Sequence, residues 1–176
     1  MKRLKQCASG VLVTLMLTAV TGCKNGKSAE FERLEASNKR LEANMKMYET
    51  TWDKVINEAK LDEINETHFD RNITLVTSPE NIVGIEAFRN YYKNYITGFS
   101  NVKFTIVDVF GQGDKIVKHW NFKGKHTGDF FGIPATGKNV DVDGVTLVKM
   151  KEGKIAQEQD FMDNLEFMQQ IGLIPR

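Results

Sequence analysis

The hydrophobic period of this chain changes once, near residue 100. Upstream, Phe31, Leu34, Asn38, Leu41, Met45, Tyr48, Trp52, Val55 and Ala59 recur at intervals of three and four. Ile85, Phe88, Tyr92 and Tyr95–Ile96 repeat that spacing over residues 84–99. This is the signature of helices with one apolar face. Downstream, apolar and polar residues alternate, as a half-buried strand requires. Strands are expected at 102–110, 115–126, 139–150 and 154–162, with GQGD (111–114) and KEGK (151–154) as tight turns between them. Short helices are expected at 61–69 and 164–171, and a strand at 73–78 that Pro79 interrupts. Helices first and antiparallel strands afterwards define an α+β chain, with one curved antiparallel sheet carrying helices on its concave side.

The first 22 residues read as an address. MKRLKQ is basic, and ASGVLVTLMLTAVTG is an apolar run of signal-peptide length, too short for a comfortable membrane span. Val20-Thr21-Gly22-Cys23 resembles a bacterial lipobox, in which Cys23 is acylated and becomes the first residue of the mature protein. The alternative is an ordinary secretory signal that leaves Cys23 as a free thiol. The lipobox reading places the domain in the cell envelope, outside the cytoplasm and tied to a membrane through lipidated Cys23. Residues 23–28 read as a polar leash. The heptad stretch then admits two readings: a coiled-coil or partner contact over 31–45, with Asn38 setting register, or a helix extending from its own domain. The chain thus divides into a lipoprotein signal peptide (1–22), a tether (23–45) and one domain (46–176).

Charge and cysteine count narrow the function. Without residues 1–22, 21 basic residues face 23 acidic ones, so no basic excess points to nucleic acid. The two cysteines, Cys7 and Cys23, both lie at the extreme N-terminus, which argues against a disulfide within the mature chain and against a cysteine zinc site. His68, His119 and His126 lack the spacing of a metal site. No Walker loop, Gly-rich dinucleotide fingerprint, HExxH or G-x-S-x-G occurs. No cofactor or metal is expected.

The stretch from His119 to Lys138, HWNFKGKHTGDFFGIPATGK, begins as a strand and becomes a long shaped loop punctuated by Gly-Asp, Gly-Ile-Pro and Thr-Gly-Lys. GKHTGDFFGIPATGK resembles the G-T-H-x-G-x-F-x-G-I-x-P-T-G-K signature of the SnoaL-like polyketide cyclases. Lys125 replaces the family's usual Thr, and Ala135 its frequent Pro. EGKIAQEQDFMDNLEFMQQIG resembles the family run D-G-K-I-V-E-x-W-D-x-x-D-x-x-x-x-x-Q-Q-L-G, with Gln157 and Gln159 in place of its Glu and Trp. The resemblance spans residues 48–175. It implies the nuclear-transport-factor-2-like (cystatin-like) cone, a homodimer, and a pocket for a small apolar carbonyl compound. In the family, a pocket carboxylate takes a proton from the carbon beside a carbonyl and a ring closes by intramolecular aldol condensation, without cofactor.

By position in the D-x-x-D run, Asp163 is the first candidate for that base and Asp160 the second. Glu158 shares the face of Asp160. His126 would orient a substrate oxygen or the carboxylate, and Trp120, Phe122 and Tyr92 would line an apolar wall. Each has a plainer alternative: Asp163 as a helix cap, His126 as a hydrogen-bonded strand residue, the aromatics as core. The two lost polar positions favour the rival reading, a non-catalytic ligand-binding or protein-interaction lipoprotein of the same fold.

Overall fold

The computed structural model describes residues 24–175. The signal peptide and Cys23 lie outside the described residues. Helix α1 (Lys24–Asn57) is followed by a 3-10 turn (Leu61–Glu63), strands β1 (Phe69–Leu75) and β2 (Ile82–Val83), and helix α2 (Ile85–Gly98). Four long strands come next, β3 (Phe99–Gln112), β4 (Lys115–His126), β5 (Asn139–Lys151) and β6 (Lys154–Met162), then helix α3 (Asn164–Gln170). The bounds of β4 and β6 are those expected from alternation. The helix expected at 61–69 is only the 3-10 turn, and Phe69 already belongs to β1. Lys24–Ser28, read as a leash, is part of α1, since extending an established helix adds a hydrogen bond per residue at little cost.

The strands form one curved sheet of order β2-β1-β6-β5-β4-β3. Pairing is antiparallel throughout except between β1 and β6, which run parallel. That exception follows from connectivity, because β1 comes before α2 and reaches β6 only as its far neighbour. Even-numbered residues of β4 and β5 are buried and their odd neighbours are not, so one face of the sheet carries the core. In β6 the register slips by one residue between the Lys149–Gln157 and Met150–Ile155 pairs. This bulge places Ile155 and then Glu158 inward, three positions apart.

Onto that face pack the apolar stripes of the helices. Tyr48, Trp52 and Val55 of α1 and Phe88 and Tyr92 of α2 are buried, and Trp52 makes edge or tilted ring contacts with Tyr48, Phe69, Phe88 and Tyr92. The heptad seam therefore continues as core packing. Leu41 and Met45 already lean on the core, whereas Phe31 and Leu34 are exposed. Among the described residues, no helix is long and apolar enough to cross a membrane.

Candidate active site

Alternation puts Ile116, Lys118, Trp120 and Phe122 on the inner face of β4, and three of these four are unremarkable there. Lys118 is not: a lysine only 3% exposed in an apolar row must have its amine provided for. Its Nζ lies over three rings, at 4.5 Å from the Trp52 centroid, 5.0 Å from Tyr48 and 5.2 Å from Phe104. Such faces attract a cation. No carboxylate among the described residues stands within 4 Å of it. Burial pulls the Lys118 ammonium below the usual lysine range, while the negative charges of Glu158 and Asp160 push the other way.

Opposite stands Glu158, fully buried on β6. Tyr48 Oη donates to its Oε1 at 2.6 Å and Trp52 Nε1 to the same oxygen at 2.9 Å. Tyr92 Oη lies 3.2 Å from Oε2 and 2.9 Å from Asp160 Oδ2, joining the two carboxylates. Thr146 donates to Asp160 Oδ1 and receives Trp120 Nε1 at 2.9 Å. Trp120 reaches Thr146 because its indole lies across Gly144, its partner on β5, where an added Cβ would sit 2.2 Å from Trp120 Cζ2. Burial raises the Glu158 carboxyl to about 7, with Asp160 adding to the rise and Lys118, Tyr48 and Trp52 restraining it. Tyr48 and Tyr92 are pushed well above the ordinary phenol range, first by burial and then by the two carboxylates, so both remain donors.

Between these groups is a cavity of about 180 Å³. Asp160, Lys118, Trp52, Tyr92, Trp120 and Phe122 are among its walls. A cavity of about 150 Å³ lined by apolar side chains holds benzene, so this one has room for a single ring rather than a fused polycycle.

Of the residues singled out in the sequence, the structure brings Asp160, Trp120, Phe122 and Tyr92 together at this cavity. Asp163 and His126 are elsewhere. Asp163 caps α3, its Oδ1 accepting from Glu166 N at 2.9 Å, and its side chain faces solvent on the opposite strand parity. His126 is fully buried at the neck of the 127–138 loop: its backbone bonds Lys138 and Gly137, and its Nδ1 stands 3.1 Å from Thr136 Oγ1. The histidine and threonine of the signature thus hold each other and shape the loop. That loop closes on the end of α2, where Gly128 allows backbone contact; a Cβ there would meet Thr97 O at 2.1 Å. His68 and His119 face Glu63 and Asp143, and among the described residues no group of three His, Cys, Asp or Glu is placed to hold a metal ion. Sequence reasoning passed over Lys118, Tyr48, Trp52 and Thr146. The signal for Lys118 was available, a cation on the parity of Trp120 and Phe122.

A curved six-stranded sheet around a small acidic and aromatic cavity, with helices packed on it, defines a mixed α+β fold. Residues 45–171 match the model of the SnoaL-like polyketide cyclases, and the chain belongs to that family. Its fold is similar to that of TsrD from Streptomyces laurentii (24% identity, TM-score 0.68, 75% of this chain and 97% of that one). A putative SnoaL-like polyketide cyclase from Jannaschia sp. CCS1 gives 24% identity and a TM-score of 0.64 over 76% and 94% of the chains. A protein of ketosteroid isomerase-like fold from Catenulispora acidiphila, in complex with trimethylamine, gives 19% and 0.58 over 70% and 90%. No curated protein matches the chain.

Proposed function

We propose that the cavity binds a single-ring or similarly small apolar carbonyl compound and moves a proton at the carbon beside the carbonyl. The observation that carries this is Asp160. It lines the cavity, and its two oxygens are oriented by Thr146 and Tyr92. An aligned carboxylate on the wall of an aromatic cavity is a competent general base, worth about 10² to 10⁴ in rate. Glu158 stands behind it and is joined to it by Tyr92, so a proton taken by Asp160 has a second acceptor close at hand. A substrate carbonyl acidifies the C–H bond itself, so the step needs no cofactor. Cyclisation or isomerisation would follow from where the resulting carbanion adds.

The test is exchange of α-protons for deuterium in cyclohexanone and its β-keto ester analogues, followed by NMR in D2O. The protein should accelerate exchange over buffer, and Asp160→Asn should lose about 10² to 10⁴ of that acceleration while keeping its fold. Equal exchange in the variant overturns the assignment. A second reading is favoured by the saturation of the site: all four carboxylate oxygens of Glu158 and Asp160 already have a donor within hydrogen-bond distance, as in a binding pocket built to be rigid. Exchange no faster than buffer, with the probe bound, selects it.

The reading also includes an acyl anchor at Cys23, supported by the leader and its lipobox-like end, and a homodimer, supported by the exposed Phe31 and Leu34 of the seam. Incorporation of an alkyne-tagged palmitate that persists in Cys23→Ala would remove the anchor from the account.

A further inference from the structure

Lys118 has no part in the proton transfer just described, yet it is a wall of the same cavity. We infer that Lys118 is a covalent residue that captures the carbonyl carbon of the bound compound as a Schiff base. The inference rests on the cavity admitting a carbonyl compound, but not on Asp160 acting as the base.

Three features of the geometry support it. A lysine used only for structure is expected to reach a carboxylate or the solvent; this one is buried, makes no hydrogen bond and has no carboxylate within 4 Å among the described residues. Its Nζ is bounded by Trp52, Tyr48 and Phe104, so the cavity is its open side. The charges that act on it are those of Glu158 and Asp160 from β6, while Tyr48 of α1 beside it and Tyr92 of α2 on the same cavity stay neutral phenols. Desolvation favours the neutral amine there, the nucleophilic form, as in other lysines placed in apolar pockets.

The step balances without an oxidant or reductant. The Nζ lone pair forms the C–N bond as the carbonyl π electrons move to oxygen. One amine proton passes to that oxygen, giving a carbinolamine. A further proton, supplied by solvent, makes the hydroxyl a leaving water, and the C–O bond breaks as the nitrogen lone pair forms C=N. The product is an iminium cation, and water adds back to release the amine. The iminium charge lies where the ammonium charge lay, over three ring faces and toward two carboxylates, which stabilises it. An iminium acidifies the neighbouring C–H more than a ketone does, so capture by Lys118 would prepare the proton for Asp160.

The experiment uses the full chain, benzaldehyde as probe and cyanoborohydride as trap, at pH 7. Benzaldehyde is a single ring with no α-proton, so it reports capture alone. Trp52 and Trp120 are the two tryptophans of the chain and both line the cavity, so quenching of intrinsic fluorescence reports entry. Exposed lysines at pH 7 are almost wholly ammonium. Peptide mapping separates Lys118 from these and from the α-amino group. The expected result is quenching together with labelling of Lys118 at least about tenfold above any exposed lysine. Lys118→Arg should keep the quenching and lose the label, and Lys118→Met provides a second, uncharged variant if arginine does not fit. Quenching without preferential labelling of Lys118 overturns the covalent role and leaves the carbonyl-binding reading standing. Neither quenching nor labelling overturns both.

Discussion

Lys118 and Lys123 lie five residues apart on one strand and share no physical circumstance. Lys123 points outward, half exposed, with its Nζ 2.7 Å from Asp141 across the β4–β5 pair. It lowers the Asp141 carboxyl in concert with Asn121, whose hydrogen bond is the larger cause. Lys118 points inward, has rings for neighbours, and sees its carboxylates at longer range. The outer pair is an ordinary solvated contact. The inner cluster gathers two carboxylates and an amine around a space the size of one ring, where charge is costly, so that burial raises Glu158 and lowers Lys118. Strand parity alone separates these outcomes.

Removing each lysine should expose the difference. Lys118→Ala strips three ring faces of their partner and opens a void beside Trp52; it should cost about 2 to 5 kcal/mol of unfolding free energy at pH 8. Urea denaturation measures it, and a cost below 1 kcal/mol would place Lys118 among the ordinary surface lysines. Next in size is Glu158→Gln. The folded-state pKa of Glu158, about 7, lies above its ordinary value of 4.5, so the folded protein holds that proton more tightly than the unfolded chain. This contribution to stability is therefore fully present below about pH 4.5 and is lost as pH rises to about 7. Between those limits the wild type should lose about 3 kcal/mol relative to Glu158→Gln. The smallest effect belongs to Lys123→Ala, at most about 1 kcal/mol and weaker in high salt.

Much of this was legible in the sequence. The switch of period located both long helices and all four long strands, because alternation and helical spacing report directly on which face meets the core. Trp120, Phe122, Tyr92 and Asp160 reach the cavity because each lies on such a face. Asp163 and His126 show where position in a motif stops being informative. Asp163 follows the end of β6 and caps α3, a role its place before Asn164 equally permitted. His126 shares the parity of the cavity wall but lies at the strand's end, where its loop supplies Thr136 as a partner. Glu158, Tyr48 and Trp52 meet across more than 100 residues of chain, and no local pattern encodes that meeting. The bulge that turns Glu158 inward is likewise a property of pairing with β5, beyond the reach of a two-residue period.

Electrostatic tuning of the inner cluster is most directly visible at Glu158. Carboxyl carbon chemical shifts of the labelled full chain, followed from pH 3 to 9 with Glu158→Gln to assign the resonance, give its protonation directly. The midpoint for Glu158 should fall near 7. A midpoint near 4.5, the ordinary value for a glutamate, would show that water or a closer cation reaches the carboxylate, and the tuned site would be contradicted.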